Sequence, residues 1–401
     1  MPAIEIKPDV YWIGVNDRTT DLFEGLWPIT REGVSYNTYL VRDDKSAIVD
    51  LVKDTKEGEL VDHLSDIMDV ADLDYLVINH MEPDHSGALK VFLRLAPKLT
   101  ILGTPKTKQM LESFYGITER VRVVEDGEEI SLGRKTLRFV HTPFVHWPET
   151  MMTYVVSERV LFACDGFGGY GALRGAIFDD QCVDPAWYEK EALRYYVNIV
   201  AKFSGPVLRA IDKLAGVPVD VVAPSHGLIW RAHPERIIAL YKEWAELAKG
   251  GGAPGVALVY GSMYGNTEEM MNAVAEGISK VGLPLEIFDG GRTHSSYILP
   301  AMWRYAGVMV GAPTYEGSLF PAMTQVLEMA AHKRILGKKT ARFGSYGWSG
   351  GAQREYEAIV QPLKWEVMEP FEFVGAPTKE DLRHGFEYGE RFARWVAESA
   401  K

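Results

Sequence analysis

The sequence predicts an α/β protein in two parts: a layered α/β sandwich over residues 1–248, then a doubly wound domain with a five-stranded parallel sheet over residues 255–401. Three observations predict this. Short apolar runs alternate with turns and helix-like stretches, more regularly in the second half. The stretch Ala-Lys-Gly-Gly-Gly-Ala-Pro-Gly at 248–255 is typical of a flexible linker. A length of 401 residues also exceeds what one hydrophobic core usually organises.

Apolar runs locate the strands of both halves. In the first half they lie at 46–50, 75–78, 100–102, 137–140, 160–163 and 219–222. Several are continuous rather than alternating, which is expected for strands covered on both faces. In the second half the runs lie at 256–260, 285–288, 308–310, 341–343 and 371–374. Helical stretches separate these five, as in a doubly wound parallel sheet.

Composition narrows the classes of function. The formal net charge of -12 and the isoelectric point near 5.4 argue against a nucleic-acid partner. The two cysteines, Cys164 and Cys182, are too few for a disulfide framework or an iron–sulfur cluster. The first residues show no signal-peptide pattern, and no segment reaches the roughly 18 unbroken apolar residues of a membrane span. We therefore expect a cytoplasmic protein that acts without a membrane.

The stretch His-Met-Glu-Pro-Asp-His at 80–85 is the strongest chemical signal in the chain. Two imidazoles and two carboxylates directly behind an apolar run are hard to explain by packing, and a bound cation offsets their mutual repulsion. In an extended loop, His80, Glu82 and Asp84 project to one side, and His85 can serve a second ion. We expect an extended loop because the proline disfavours a helix.

Three other predicted strand ends supply further candidate ligands. The full set of candidate metal-binding and catalytic residues is His80, Glu82, Asp84, His85, His146, Asp165 and His226. Seven ligands suit two ions that share one carboxylate. Imidazoles and carboxylates without thiolate favour Fe, Mn or Zn, of which we prefer iron. A hydrolytic two-zinc site draws on overlapping ligands and remains an alternative.

The other histidines are assigned structural roles, because a lone strand-end histidine is more often hydrogen bonded than a ligand. This group consists of His63, His233, His294, His332 and His384. His141 also ends a predicted strand, only five residues before His146, and spacing alone does not separate the two.

The second half carries a candidate flavin site. The turn at 261–267 opens a helix, so its backbone N–H groups can hold a phosphate without a lysine, as an FMN site would. Loops at 311–317 and 344–351 fall at neighbouring strand ends, where doubly wound folds bind ligands. The aromatic residues of these loops can flank an isoalloxazine ring or, alternatively, pack at an interface. The candidate FMN contacts are Ser262, Met263, Tyr264, Gly265, Asn266, Thr267, Pro313, Thr314, Tyr315, Glu316, Gly317, Ser345, Tyr346, Gly347, Trp348, Ser349 and Gly350.

The motif order His-x-Glu-x-Asp-His, His-Trp-Pro, Asp and Ser-His-Gly resembles the metallo-β-lactamase-like domain of the flavodiiron proteins, or A-type flavoproteins. The resemblance implies an αββα sandwich with two irons, and it selects His146 over His141. The implied ligands are His80, Glu82 and His146 at one iron, Asp84, His85 and His226 at the other, and Asp165 as the bridge. Hydrolytic relatives usually carry histidine at the position of Glu82, and the added anionic ligand should stabilise oxidised iron.

The three loops of the second half resemble flavodoxin, and Gly-Ser-Tyr-Gly-Trp-Ser-Gly-Gly at 344–351 is similar to the flavodiiron version. Tyr264 departs from many flavodoxins, which carry Thr or Ser there, and this removes a small hydroxyl from the phosphate loop. The two resemblances together cover nearly the whole chain.

The resemblance implies an oxidoreductase that reduces O2 to water, NO to N2O, or both, at a diiron site supplied with electrons by FMN. It also implies a head-to-tail homodimer, or a dimer of dimers. The expected electron donor is a separate molecule, either a rubredoxin-like protein or reduced coenzyme F420, and residues 16–24 resemble members that oxidise the latter. Two alternatives stay open: a zinc hydrolase with a fused flavodoxin module, and a non-catalytic electron carrier.

Overall fold

A computed structural model describes residues 3–398, and these divide into two compact units between Ala245 and Glu246. The predicted fold class is confirmed, with a two-sheet α/β sandwich followed by a doubly wound parallel sheet. The predicted linker stretch at 248–255 lies at the beginning of the second unit, and its last three residues already belong to the strand Ala253–Tyr260.

The first unit contains two main sheets. The seven-stranded sheet has the spatial order Ile4–Lys7, Val10–Trp12, Tyr39–Val41, Ala47–Val49, Tyr75–Val77, Thr100–Gly103 and Val121–Val123. The five-stranded sheet has the order Glu129–Ser131, Thr136–His141, Met151–Val155, Val160–Cys164 and Val221–Pro224. Two short pairs complete the unit: Val15–Asp17 with Val34–Tyr36, and Leu22–Phe23 with Trp27–Pro28.

The two sheets pack face to face and enclose the core of the first unit. Tyr39 of one sheet stacks on Phe162 of the other with ring centroids 4.7 Å apart, and the Tyr39 hydroxyl donates to the Pro224 carbonyl at 2.7 Å. Every residue of Val160–Cys164 and Val221–Pro224 is buried, as the continuous apolar runs predict for strands covered on both faces.

Helices cover the outer faces of the sandwich. The α-helices of the first unit are Glu57–Ser65, Pro83–Ser86, Leu89–Leu95, Pro105–Tyr115, Pro185–Tyr195, Ser204–Lys213 and Pro234–Glu246. Helix Pro105–Tyr115 illustrates how the sequence sets both ends of a helix. The Thr104 hydroxyl accepts from the Thr107 N–H at 3.1 Å, and Gly116 ends the helix in the left-handed conformation.

The second unit has one parallel sheet, and all five predicted strands are present. Its order is Leu285–Asp289, Ala253–Tyr260, Tyr305–Gly311 and Lys339–Tyr346, followed by Glu366–Val367 and Phe371–Val374, which both pair with the fourth strand. The helices are Asn266–Lys280, Ser295–Arg304, Pro321–His332, Ala352–Val360 and Lys379–Glu398. Within residues 3–398, no helix is long and apolar enough to cross a membrane.

Candidate metal and flavin sites

The candidate metal centre lies where four loops of the first unit converge. These loops follow strands Tyr75–Val77, Thr136–His141, Val160–Cys164 and Val221–Pro224, and they carry the seven predicted ligands. The four histidines and Asp165 are almost completely buried, whereas the side chains of Glu82 and Asp84 are 13% exposed. The charged groups are therefore held away from water with their polar atoms directed at one another.

One half of the cluster is formed by His80, Glu82 and His146. The Glu82 Oε2 atom lies 3.2 Å from His80 Nε2 and 3.1 Å from His146 Nε2. Asp165 Oδ2 lies 3.5 Å from His80 Nε2 and 3.1 Å from His146 Nε2. Ligand atoms of these four residues all lie within 4.8 Å of one another, which is a spacing that one ion can span.

The other half is formed by Asp84, His85 and His226. His226 Nε2 lies 3.3 Å from Asp84 Oδ2, and His85 Nε2 lies 3.4 Å from Asp84 Oδ1. The second oxygen of Asp165, Oδ1, lies 3.0 Å from His85 Nε2 and 3.4 Å from His226 Nε2. Asp165 therefore presents one carboxylate oxygen to each half, as a carboxylate that bridges two ions would.

The residues present fit two bound cations. Five buried polar atoms in the cluster form no hydrogen bond: Asp84 Oδ1 and Oδ2, His85 Nε2, Asp165 Oδ1 and His226 Nε2. They nevertheless lie 3.0–3.4 Å from one another. Buried polar atoms that approach closely without hydrogen-bond geometry are explained when they point at a shared ion.

Two contacts outside the cluster orient its imidazoles. His80 Nδ1 lies 2.7 Å from Glu149 Oε1, which also accepts from the Met81 N–H at 2.9 Å. His226 Nδ1 lies 2.7 Å from the Ser35 carbonyl oxygen. Each contact leaves Nε2 directed at the cluster, which is how metal-binding histidines are usually held. Glu149 was not predicted from the sequence, because its partner His80 lies 69 positions away in the chain.

The carboxylates control protonation of the histidines. Burial alone lowers the pKa of His146, but its contacts with Asp165 and Glu82 outweigh this and raise the pKa to about 9. Burial also lowers the pKa of His226, but its contacts with Asp165 and Asp84 outweigh this and raise the pKa to about 10. Without metal, protons therefore supply the positive charge at neutral pH, and a metal ion has to displace them.

One neighbouring thiol also lies close to the cluster. Cys164 Sγ is within 4.8 Å of ligand atoms of His85 and Asp165. Burial raises the pKa of Cys164 well above its usual value, so it remains a neutral thiol and a poor ligand beside two carboxylates.

The conformation of residues 80–85 differs from the prediction. The predicted extended loop is wrong beyond Glu82, because a short helix, Pro83–Ser86, begins there. Proline is favourable at the first position of a helix, where its missing N–H would have no partner and its φ is already helical. The turn carries Asp84 and His85 away from His80 and Glu82, and this separates the two halves of the cluster.

The structure separates His141 from His146. His141 Nε2 lies 3.1 Å from the Val124 carbonyl oxygen and contacts none of the predicted ligands. His63 Nδ1 contacts the Gly14 carbonyl oxygen at 3.1 Å, and His233 is exposed beside Glu235. None of the three belongs to the metal-ligand groups found among the described residues.

A pocket of about 240 Å³ reaches the cluster at Glu82 and Asp84. It is also lined by Thr20, Leu22, Phe23, Glu24, Gly25, Tyr36, Lys53 and Pro83. Part of the segment 16–24 therefore forms a wall of this pocket.

A second pocket, of about 340 Å³, lies in the second unit where the three predicted flavin loops meet. It is lined by Met263, Asn266, Pro313, Thr314, Tyr315, Glu316, Gly317, Ser345, Tyr346, Gly347, Trp348, Ser349 and Gly375. Of these, Gly375 was not predicted. The helix Asn266–Lys280 begins at the first loop, so its N-terminal N–H groups are suitably placed for an anion.

Five predicted FMN contacts lie outside this lining: Ser262, Tyr264, Gly265, Thr267 and Gly350. The Ser262 hydroxyl accepts from the Gly265 N–H at 3.0 Å and so shapes the turn. Thr267 is buried, with its hydroxyl 3.4 Å from that of Ser345. The Tyr264 side chain is 92% exposed.

Each of the two units matches a known protein family. The ODP family beta lactamase matches residues 34–227, and the flavodoxin family matches residues 258–389. The chain is 35% identical over 400 residues to a nitric oxide reductase of Moorella thermoacetica, covering 98% of this chain and 99% of that protein. It is 34% identical over 398 residues to an anaerobic nitric oxide reductase flavorubredoxin of Escherichia coli O1:K1, covering 98% of this chain and 82% of that protein.

Solved structures extend the similarity to the whole fold. Rubredoxin oxygen:oxidoreductase of Desulfovibrio gigas matches with a TM-score of 0.93 and 29% identity, over 99% of each chain. The flavodiiron protein of Giardia intestinalis matches with a TM-score of 0.94 and 26% identity, over 100% of this chain and 98% of that chain. Taken with the two-part ligand cluster and the pocket in the flavodoxin unit, these similarities show that the chain belongs to the flavodiiron protein family.

Proposed function

We propose that this protein is an oxidoreductase that reduces O2 to water, NO to N2O, or both. The observation that carries the proposal is the division of seven ligands into two groups that share Asp165, in a chain that also has a flavodoxin pocket. The bound cofactors supply the redox chemistry, because a diiron centre can bind the gas and FMN can relay electrons to it.

The side chains have distinct parts in this chemistry. The residues that would hold the first iron are His80, Glu82 and His146, and those that would hold the second are Asp84, His85 and His226. Asp165 would hold both, because it presents one carboxylate oxygen to each group of ligands. The pocket of about 240 Å³ ends at Glu82 and Asp84, and Phe23 and Tyr36 are among its lining residues.

The zinc-hydrolase alternative is not favoured. Glu82 contributes a second carboxylate to one half of the cluster, where hydrolytic relatives usually carry histidine. The flavodoxin unit, matched over residues 258–389, has no part in hydrolysis. Metal analysis that finds two zincs together with full hydrolytic turnover would overturn the proposal.

We infer further that a separate electron donor, a rubredoxin-like protein or reduced coenzyme F420, delivers electrons to FMN. The relatives named flavorubredoxin and rubredoxin oxygen:oxidoreductase support the first. Residues of the segment 16–24 line the pocket beside the metal cluster and not the flavin pocket, so the segment gives no support to the second. Both cysteines are free thiols, which is compatible with the reducing cytoplasm that we propose as the location.

We also propose a head-to-tail homodimer, or a dimer of dimers, in which FMN of one chain faces the metal cluster of the other. Trp348 and Tyr264 support this, because they are 94% and 92% exposed beside the flavin pocket and large exposed aromatics often mark association surfaces. A monomer in sedimentation analysis that retains full activity would contradict the proposal.

Anaerobic single-turnover kinetics test the reaction itself. The iron-loaded, FMN-loaded protein is reduced and mixed separately with O2 and with NO, and reoxidation is followed by absorption. We expect rapid reoxidation by at least one gas, with water or N2O as the product. The Asp165→Asn variant should retain FMN and lose this rapid phase. Slow reoxidation of the wild-type protein by both gases, with peroxide formed from O2 and no N2O formed from NO, would instead indicate an electron carrier.

A further inference from the structure

Arg342 is a completely buried arginine in the second unit, in the strand that leads into the third flavin loop. Its guanidinium donates in three directions. Nε donates to Gln353 Oε1 at 2.8 Å, Nη1 donates to the Ala312 carbonyl at 3.0 Å, and Nη2 pairs with Glu372 Oε1. A buried arginine is costly unless its donors are satisfied, so this arrangement needs an explanation beyond packing.

One partner of Arg342, Ala312, and its neighbour Gly344 each precede a residue that lines the flavin pocket. Ala312 precedes Pro313, and Gly344 precedes Ser345, and both following residues line the pocket. An added Cβ at Gly344 would lie 1.7 Å from the Ala312 carbonyl oxygen and 3.2 Å from Arg342 Nη1. The guanidinium is therefore packed against the bases of the second and third loops at the point where they touch.

The other two partners connect the same guanidinium to a helix and a strand that neighbour the third loop. Gln353 is in the first turn of the helix Ala352–Val360, which begins immediately after the third loop. Glu372 lies on the neighbouring strand Phe371–Val374 and is 28% exposed. One buried cation thus holds together the elements that frame both loops, and it has a counter-charge that is partly open to water.

We propose that Arg342 is a positioning residue for FMN. Its hydrogen bonds hold the second and third loops in the binding conformation before the cofactor arrives, which lowers the ordering cost of binding. Its charge also favours the reduced flavin, because reduction adds negative charge and a buried cation nearby is weakly screened. This inference rests on the proposed function in one respect, namely that the pocket binds FMN.

Three variants separate the two effects. Arg342→Met removes the hydrogen bonds and the charge at similar length, and Arg342→Lys retains the charge without the planar fork. Glu372→Gln retains an acceptor for the guanidinium but removes its counter-charge. Arg394→Met is the matched control, because Arg394 is an exposed arginine of the same unit that pairs with Glu390 on its own helix. Each protein is stripped of flavin and titrated with FMN, and the flavin reduction potential is then measured anaerobically.

We expect Arg342→Met to raise the FMN dissociation constant about tenfold or more, because the loss of one charged hydrogen bond or its equivalent has that effect. The flavin reduction potential should shift to more negative values. Compared with Arg342→Met, Arg342→Lys should return the reduction potential closer to its wild-type value than the FMN affinity. Glu372→Gln should shift the potential in the positive direction, and Arg394→Met should change neither quantity. A merely structural role of Arg342 would not produce a negative shift in Arg342→Met that Arg342→Lys reverses. Because Arg342→Lys keeps a cation at the buried position, its loss of affinity carries the test even where Arg342→Met fails to fold.

This inference would be overturned if folded Arg342→Met kept the wild-type FMN affinity and potential, or if Glu372→Gln showed a negative shift or none. In either case, FMN binding by the wild-type protein would leave the proposed function intact. A wild-type protein that binds no FMN would overturn both.

Discussion

Replacing Glu149 with glutamine should weaken one half of the metal centre and spare the other. Glu149 Oε1 accepts from His80 Nδ1 at 2.7 Å and from the Met81 N–H at 2.9 Å. Glu149 Oε2 is buried without a hydrogen bond, so the glutamine NH2 can occupy its position without displacing a donor. The substitution thus removes the negative charge behind His80 while it leaves the shape of the site unchanged.

The expected magnitude follows from the kind of contact that is lost. Removing a group that orients a metal-bound histidine typically costs about 10- to 100-fold in metal affinity. Glutamine keeps one acceptor oxygen, so we expect a loss near the lower limit, about tenfold, or about 1.4 kcal/mol. Glu149→Ala removes both hydrogen bonds and should approach the upper limit, about 100-fold.

The assay is iron stoichiometry during a chelator titration of the fully loaded protein. The wild-type protein should retain two irons per chain over a range in which Glu149→Gln retains one, because His80 belongs to only one group of ligands. Glu128→Gln is a suitable control, since Glu128 pairs with Arg122 at the surface of the same unit. Simultaneous loss of both irons, or resistance equal to that of the wild-type protein, would refute the assignment of Glu149 to one half of the centre.

Three further predictions concern the bridge, the protons and a buried lysine. Asp165→Asn should lower the affinity for both irons together, and a variant that keeps two irons with wild-type resistance to chelator would contradict a bridging role. Metal affinity should rise as the pH increases from 6 towards 9. His146 and His226 have pKa values of about 9 and about 10 in the metal-free protein, so they must release protons to bind a metal ion. Metal titration in two buffers of different ionisation enthalpy measures that proton release, and a pH-independent affinity would contradict the prediction. Burial lowers the pKa of Lys338 from 10.5 to about 7. Between pH 7 and pH 10.5 this lysine is therefore protonated in the unfolded chain but not in the folded one. The free energy of unfolding should rise with pH over that range, by at most about 1.4 kcal/mol per pH unit. Urea unfolding of the wild-type protein and of Lys338→Met at pH 7, 8 and 9 should show this as a growing difference, and parallel pH profiles would count against it.

Much of this protein could be predicted from local patterns. Continuous apolar runs located the strands of both units, because a strand covered on both faces must be apolar throughout. The clustering of charged residues at 80–85 predicted a metal site, because side chains of those types at a strand end need a compensating charge. The turn at 261–267 opens a helix, and it predicted a phosphate-binding position because the backbone N–H groups at a helix N-terminus are free to bind an anion.

Other features required the fold. His141 ends the strand that His146 follows, and only the folded chain shows that His141 Nε2 is directed at a carbonyl 3.1 Å away. Glu149 and Arg342 were not predicted at all. Each acts through partners far away in the chain, and no local pattern encodes such a contact.

The sequence by itself determined which parts this protein has: two α/β units, seven candidate metal ligands and three loops suited to FMN. The order of these motifs along the chain also carried the family resemblance. Residue type and strand-end position carry this information, because both are local properties. The resemblance implied how the ligands are shared, and only the tertiary structure showed what produces that division. Pro83 begins a helical turn rather than preventing one, and Asp165 directs its two oxygens to different histidine pairs. These outcomes depend on where distant strands end relative to one another, a distance that the packing of the two sheets sets.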